Sequence, residues 1–216
     1  MEIFNLSNTN SLFNHFIAEI RDVNVQGDQL RFRRNLERMG EVIAYEISKK
    51  LDYYEQEVTT PLGLASALLI EKQPVIAAIL RAALPFHNGM LNYFDKAQNA
   101  FISAYRKAHE EGDEIEVEVE YLACPSIEGK PLILADPMLA SGTSMYLVYK
   151  ALLEKGTPSQ IHIASAIASI PGIEFIKEKM PVETYVWCGA IDPELNNRSY
   201  IVPGLGDAGD LAFGEK

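Results

Sequence analysis

The sequence predicts an α/β fold: an open, mostly parallel sheet flanked by helices. Three observations carry this reading. PVIAAIL (74–80), FISAY (101–105), PLILA (131–135), IHIASAIA (161–168) and TYVWCGA (184–190) are short apolar runs that mostly do not alternate with polar residues, as strands covered on both faces should not. Helical segments lie between several of them, which makes βαβ units of a doubly wound sheet. The 216-residue chain is also long enough for one such core with a decorated edge, and is read as a single domain over 1–216.

Taken in order, the N-terminal part reads as helical. Phe32, Leu36, Met39, Ile43 and Ile47 recur every three or four residues and give one long amphipathic helix. A second clear helix runs from Ser144 to Lys155, with Met145, Val148, Ala151 and Leu152 facing inward and Gly156 closing it. EIEVEVEY (114–121) alternates strictly, with Glu114, Glu116, Glu118 and Glu120 on one face and Ile115, Val117, Val119 and Tyr121 on the other. That pattern reads as an edge strand or β-arm whose charges discourage sheet-to-sheet pairing, rather than as a metal-binding ladder. Trp187 and Cys188 read as sheet core.

Composition excludes several classes. A net charge of −11 argues against nucleic acid as a partner, which would require a basic stripe. The cluster Arg31, Arg33, Arg34 and Arg38 is the one candidate patch and reads first as solvated helix surface. No apolar run reaches the roughly 18 residues of a membrane span. The N-terminus lacks the basic and apolar regions of a secretory signal. Cys124 and Cys188 have neither disulfide-scaffold numbers nor metal spacing, and read as buried, reduced thiols of a cytoplasmic protein. His15, His87, His109 and His162 show no ligand spacing.

Near the C-terminus Gly204, Gly206 and Gly209 spell the G-x-G-x-x-G of a dinucleotide turn. That motif needs a following helix and a carboxylate about 20 residues on. Only seven residues, Asp210 to Lys216, remain. The dinucleotide reading fails.

Polar residues at strand ends are more informative. Arg81 follows VIAAIL, Arg106 follows FISAY and Asp136 follows PLILA, and in open α/β sheets the carboxyl ends of strands line the ligand crevice. After Asp136 comes DPMLASGTS (136–144), a strand end running into a loop of small and hydroxyl residues and then a helix. Gly142 allows close backbone approach, Ser141, Thr143 and Ser144 offer hydroxyls, and the helix N-terminus favours an anion. This is a cradle for a phosphate monoester. Without a Lys after the glycine it is not the loop of nucleotide triphosphatases. A plain turn capped by Thr143 or Ser144 is the alternative.

This loop resembles the phosphoribosyl pyrophosphate (PRPP) loop of type I phosphoribosyltransferases, and DPMLA followed by Ser-Gly resembles that of the uracil phosphoribosyltransferase family. SYIVPGLGDAGDLAFG is similar to the C-terminal uracil segment of that family. RFRRNLERMGEVIAYEI (31–47), ILRA and AIDPELN (190–196) extend the resemblance over nearly the whole chain. It implies a type I phosphoribosyltransferase fold with N-terminal helices and a β-arm or hood. It also implies transfer of a phosphoribosyl group from PRPP to uracil with Mg²⁺, giving uridine monophosphate and pyrophosphate, by a homo-oligomer without membrane or nucleic-acid partners.

Residue by residue, the resemblance assigns PRPP to Asp136, Pro137, Met138, Leu139, Ala140, Ser141, Gly142, Thr143 and Ser144. Arg81, Arg106 and Asp136 are the catalytic positions, the arginines on pyrophosphate. Residues 199–210 become the uracil loop, with Ile201, Gly206, Asp207 and Ala208 at the base. Asp207 also reaches the phosphoribosyl ligand or the water shell of its magnesium, which no residue binds directly. Chemically, departure of pyrophosphate builds oxocarbenium character at C1, so stabilising the leaving anion is the main electrostatic task.

Ala83 and Pro85 stand where the family usually has glycines. Alanine would be strained if that turn needed φ > 0. Two other functions fit the same fold: a catalytically weak PRPP-binding or nucleotide-binding sensor, and a pyrimidine-dependent regulator.

Overall fold

The computed structural model describes residues 1–106 and 117–215, with the backbone alone at 104–106 and 117–119. The chain opens with β1 (Glu2–Asn5), α1 (Phe13–Arg21), α2 (Gln29–Ser48) and the hairpin β2 (Tyr53–Thr60) and β3 (Gly63–Ile70). Then come β4 (Val75–Leu80), α3 (Ala83–Leu91), β5 (Gln98–Arg106), β6 (Val117–Ala123), β7 (Pro131–Ala135), the two-residue β8 (Met138–Leu139) and α4 (Thr143–Leu152). The last part holds β9 (Gln160–Ser169), α5 (Ile170–Lys179), β10 (Thr184–Asp192), the short β11 (Glu194–Leu195) and β12 (Ile201–Val202), and α6 (Ala208–Phe213).

The main sheet has the order β1-β10-β9-β7-β4-β5-β6, with β8 paired beside β9. Every pairing in it is parallel except β5 with β6. All five apolar runs are strands of it. Neighbouring residues of each strand point to opposite faces, and both faces are dry. Ile76, Ile133, Ala164 and Trp187 pack with Phe32, Leu36, Met39, Ile43 and Ile47 of α2 on one side. Leu132, Leu134, Ile163, Val186 and Cys188 pack with Met145, Val148, Leu152 and Ile176 on the other. Burial of the Cys188 thiol pushes its pKa up to about 12, which keeps it an inert core group.

The long helix α2 starts at Asp28, whose side chain accepts the Arg31 N–H at 3.1 Å. It crosses α3 closely because Gly40 and Gly89 sit at the crossing. A Cβ on either would overlap the Phe86 or Glu37 carbonyl. In α4 the inward face is Met145, Val148, Tyr149 and Leu152, whereas Ala151 is half-buried. One 3₁₀ turn (Leu153–Lys155) follows, and Gly156 at φ 127° ends it.

β6 is the antiparallel edge strand expected of the alternating segment, although Glu114, Ile115, Glu116 and His109 lie outside the described residues. Glu120 is exposed, and so is Tyr121, which strict alternation places on the apolar face. The pairing jumps from Ser103–Tyr121 to Ala104–Val119, so Glu120 is the extra residue of a bulge and the two-residue rhythm breaks there. The β2–β3 hairpin forms a sheet of its own, and the apolar-run pattern of the core does not announce it. The thiols are free, with Cys188 buried and Cys124 only half-buried, because the latter lies beyond the end of an edge strand. No helix among the described residues is long and apolar enough to cross a membrane.

His162 of β9 is fully buried. Trp187 Nε1–H donates to its Nδ1 at 3.2 Å, so the ring proton sits on Nε2, 3.2 Å from Gln160 Oε1. Burial lowers its pKa from 6.5 to about 3. The unfolded chain therefore binds a proton below pH 6.5 that the folded one refuses until about pH 3, and stability is lost as pH falls through that window. Replacing the ring by one that cannot titrate, His162→Phe, should flatten the fall in urea midpoint between pH 7 and pH 4. An unchanged slope would contradict this assignment.

Candidate active site

The chain leaves β4 toward β5 on one side and reaches β7 on the other, so the strand order reverses between β4 and β7. Such a switch point opens a crevice at the carboxyl ends of the two strands. A cavity of about 570 Å³ lies there, large enough for a phosphorylated sugar and a base. Ile79, Leu80 and Ala82 line it from the end of β4, and Asp136, Met138 to Gly142, Ser144 and Met145 from the segment after β7. The tail contributes Arg198, Ser199, Tyr200, Asp207, Ala208 and Gly209.

The loop after β7 is tightly held. Asp136 accepts the Met138 N–H at 3.1 Å, and the Pro137 carbonyl accepts the N–H groups of Ala166 and Ile167 at 3.0 Å each. Ser169 caps α5 by accepting the Gly172 N–H at 2.9 Å, and its hydroxyl donates to the Ala140 carbonyl at 2.6 Å. Gly172 lets α5 press on the loop, since a Cβ there would overlap the Ala140 oxygen. Gly142, at φ 79°, is the cap residue of α4 and brings no capping side chain, and the Thr143 N–H makes only a long 3.5 Å bond to Ser141 Oγ. Neither Thr143 nor Ser144 is the N-cap. Thr143 is the first helical residue, its hydroxyl 3.3 Å from that of Ser141. The exposed end of a ten-residue helix thus faces the cavity with hydroxyls around it and no carboxylate cap.

Arg81 follows β4 as expected, but it does not line the cavity, and its guanidinium is held by α6 and the residue after it. It donates to Asp210 Oδ1 at 3.2 Å and to the Gly214 carbonyl at 3.1 Å. Its Nε is buried without a partner. Ala83 and Pro85 occupy the first turn of α3, where neither residue needs φ > 0 and proline removes no helical hydrogen bond. The condition for strain at Ala83, a turn needing φ > 0, is not met. The backbone of Arg106 ends β5, and its side chain lies outside the description.

In the tail, Val202–Pro203 is cis, and Gly204 and Gly206 have φ of 58° and 95°. Asp207 caps α6, its Oδ1 accepting from the N–H groups of Gly209 (2.8 Å) and Asp210 (3.0 Å). Of the four predicted base-site residues, Asp207 and Ala208 line the cavity. Ile201 pairs with Leu195 across the β11–β12 ladder and buries its side chain in the core, and Gly206 stands behind the wall. Pro137 and Thr143 are likewise behind the lining. Ser199 and Tyr200 belong to the expected 199–210 loop, whereas Arg198, just ahead of it, was not expected as a cavity residue. Asn196 folds this turn by accepting the N–H groups of Arg198 (2.9 Å) and Tyr200 (3.0 Å), and Ser199 has φ 59°, a conformation favoured by glycine and asparagine. An Asn-Asn turn ahead of an aromatic residue was the signal available for it.

A mostly parallel sheet with an anion cradle at its switch point, faced by a glycine-bearing tail, defines a type I phosphoribosyltransferase. A family model described as uracil phosphoribosyltransferase matches residues 7–215. The uracil phosphoribosyltransferase of Porphyromonas gingivalis is 56% identical over 216 residues, all of both chains. That of Pyrobaculum islandicum is 41% identical over 202 residues, covering 92% of this chain and 93% of its own. The solved structure of the AQ2163 protein from Aquifex aeolicus superposes with a TM-score of 0.87 at 30% identity over 98% of both chains. The chain belongs to the uracil phosphoribosyltransferase family.

Gly142 is the most sensitive point of the cradle. A Cβ there would lie 2.9 Å from Phe175 Cδ1 and 3.0 Å from the Gly172 oxygen, at a φ that costs an alanine about 1–2 kcal/mol in itself. Gly142→Ala should lower unfolding free energy by about 2–3 kcal/mol. A urea titration matching that of the wild type would show that the loop is not held as described.

Proposed function

We infer that the protein transfers the phosphoribosyl group of PRPP to uracil, releasing pyrophosphate and forming uridine monophosphate. The observation that carries this is one cavity walled on one side by residues 138–142, Ser144 and Met145 of the proposed anion cradle and on the other by residues 198–200 and 207–209 of the tail. In the reaction uracil N1 bonds to ribose C1 as the C1–O bond to pyrophosphate breaks, and the N1 proton is lost. The N–H groups at the start of α4 and the hydroxyls of Ser141 and Ser144, which line the cavity, take the 5′-phosphate, with Thr143 bracing Ser141 from behind. Asp136 at the strand end takes the ribose hydroxyls.

Arg81 and Arg106 serve the leaving pyrophosphate. Arg81 is tied to Asp210 in a pair exposed by more than a third on each side, and pairs of that kind hold by about 1 kcal/mol or less. A pyrophosphate oxygen can therefore take the guanidinium over at little cost. Arg198 makes no ion pair among the described residues and supplies a further cation at the rim. The base is read by backbone groups of residues 199–210, with Asp207 and Ala208 at the wall. The whole chain acts as one catalytic domain.

Magnesium arrives on the substrate. No group of three or more His, Cys, Asp or Glu among the described residues is arranged to hold a metal, whereas PRPP supplies oxygens of the kind the ion prefers. Asp207 keeps one carboxylate oxygen beyond its capping bonds for the ion's water shell. Carried in by the substrate, Mg²⁺ would offset the charge that develops on pyrophosphate.

The enzyme works as a homo-oligomer. The β2–β3 hairpin supports this, because it stands apart from the main sheet with Leu62, Leu64 and Leu68 exposed. Two free thiols support a reducing, cytoplasmic location.

Mg²⁺-dependent release of pyrophosphate from PRPP should occur with uracil and not with cytosine, hypoxanthine or orotate. Asp136→Asn should lower kcat about 100-fold while leaving the fold intact. Binding of PRPP without turnover on any base would replace the enzyme by a sensor.

A further inference from the structure

We propose that Arg21 and Asp192, neither of which lines the cavity, are positioning residues that fix the base-binding tail; the proposal rests on the reading of residues 199–210 as the uracil loop. Arg21 ends α1 and Asp192 ends β10, 171 positions apart. They meet end-on: Nη1 to Oδ2 and Nη2 to Oδ1, both at 2.8 Å. The aspartate is 7% exposed and the arginine 20%.

The pair then reaches the tail from both sides. Arg21 Nη1 donates to the Gly204 carbonyl at 3.1 Å, and the Gly204 N–H donates to Asp192 Oδ2 at 2.9 Å. Both backbone groups of one glycine are thus spent on one ion pair. Among the described residues these are the only hydrogen bonds that tie 203–206 to the remainder of the protein. Gly204 fits because its φ is 58° and because a Cβ would overlap the Ile201 oxygen.

A buried ion pair contributes little net stability compared with an apolar pair of similar size. What it does here is geometric. The planar guanidinium fork and the carboxylate are each fixed by two bonds, so the height of Gly204 over the end of β10 is set, and with it Asp207 and Ala208 three and four residues on. Leu205, buried in the core, anchors the same turn apolarly but does not orient its peptide groups. A uracil edge read by backbone donors and acceptors demands such orientation, since small misplacements at a site cost large factors.

Two conservative variants test this. Arg21→Lys keeps the charge but cannot bind both carboxylate oxygens and Gly204 together, and Asp192→Asn keeps an acceptor for the Gly204 N–H. Each should raise the KM for uracil roughly tenfold, the loss of about one charge-assisted hydrogen bond, while the KM for PRPP stays within about twofold. Amide exchange of residues 199–210 should speed up roughly tenfold with β7 and β9 still protected. Unchanged uracil KM and unchanged exchange overturn the proposal. So does an equal rise in both KM values with a lowered unfolding midpoint, which would make the pair merely structural. If one variant fails to fold, the other decides by the same readouts. If the wild type turns over no uracil the proposed function fails, but the exchange measurement needs no substrate and still decides whether the pair fixes the tail.

Discussion

A sheet covered by helices on both faces can meet a polar ligand only where its strands stop. That constraint organises this protein. Residues 75–80, 131–135 and 161–168 are buried almost without break, so no charge can stand inside the strands without losing its hydration. The polar residues that matter are pushed to the strand ends. The reversal of strand order between β4 and β7 then leaves a gap at those ends that no crossover helix fills.

The cradle and the tail meet this gap by different physics. The cradle is covalently short and locally braced: Asp136 and Ser169 hold its backbone, while Gly142 and Gly172 let α5 press on it. Its helix begins at a glycine without a capping side chain, so the groups that would meet an anion under the proposed function are already in place. The tail is braced locally at its two ends by Asn196 and Asp207, but not at its middle, residues 203–206. It crosses the end of β10 as a turn of glycines and one cis-proline, and borrows its rigidity from α1 and β10 through one ion pair, and from Arg33 of α2 and Arg81 after β4 at its far end. Arg33, part of the helix-surface cluster in the sequence, donates to the Ala212 carbonyl at 2.7 Å and so closes α6.

Much of this was legible in the sequence for a physical reason. Apolar runs report burial, and burial on both faces already implies a parallel sheet with its ligand at the strand ends, so Arg81, Asp136 and the loop to Ser144 could be named from one strand each. The family resemblance of the loop and tail then supplied the reaction. What stayed hidden was long-range. Arg21 with Asp192 are polar residues at ends of elements far apart in sequence, and nothing local distinguishes them from solvated ones. The direction of the Arg81 guanidinium depends on α6, more than 120 residues away. The β2–β3 hairpin lacks the burial signature because its faces are open, although Thr60-Pro61-Leu62-Gly63 is turn chemistry.

On this reading one cavity holds two independently built half-sites. Hydrogen exchange of the wild-type protein, read alone, with Mg·PRPP, and with Mg·PRPP and a non-reacting uracil analogue, tests it most directly. Mg·PRPP alone should slow exchange over residues 138–146, and the analogue should add protection over 199–210. Protection of neither segment, or of the β2–β3 hairpin instead, would contradict the account.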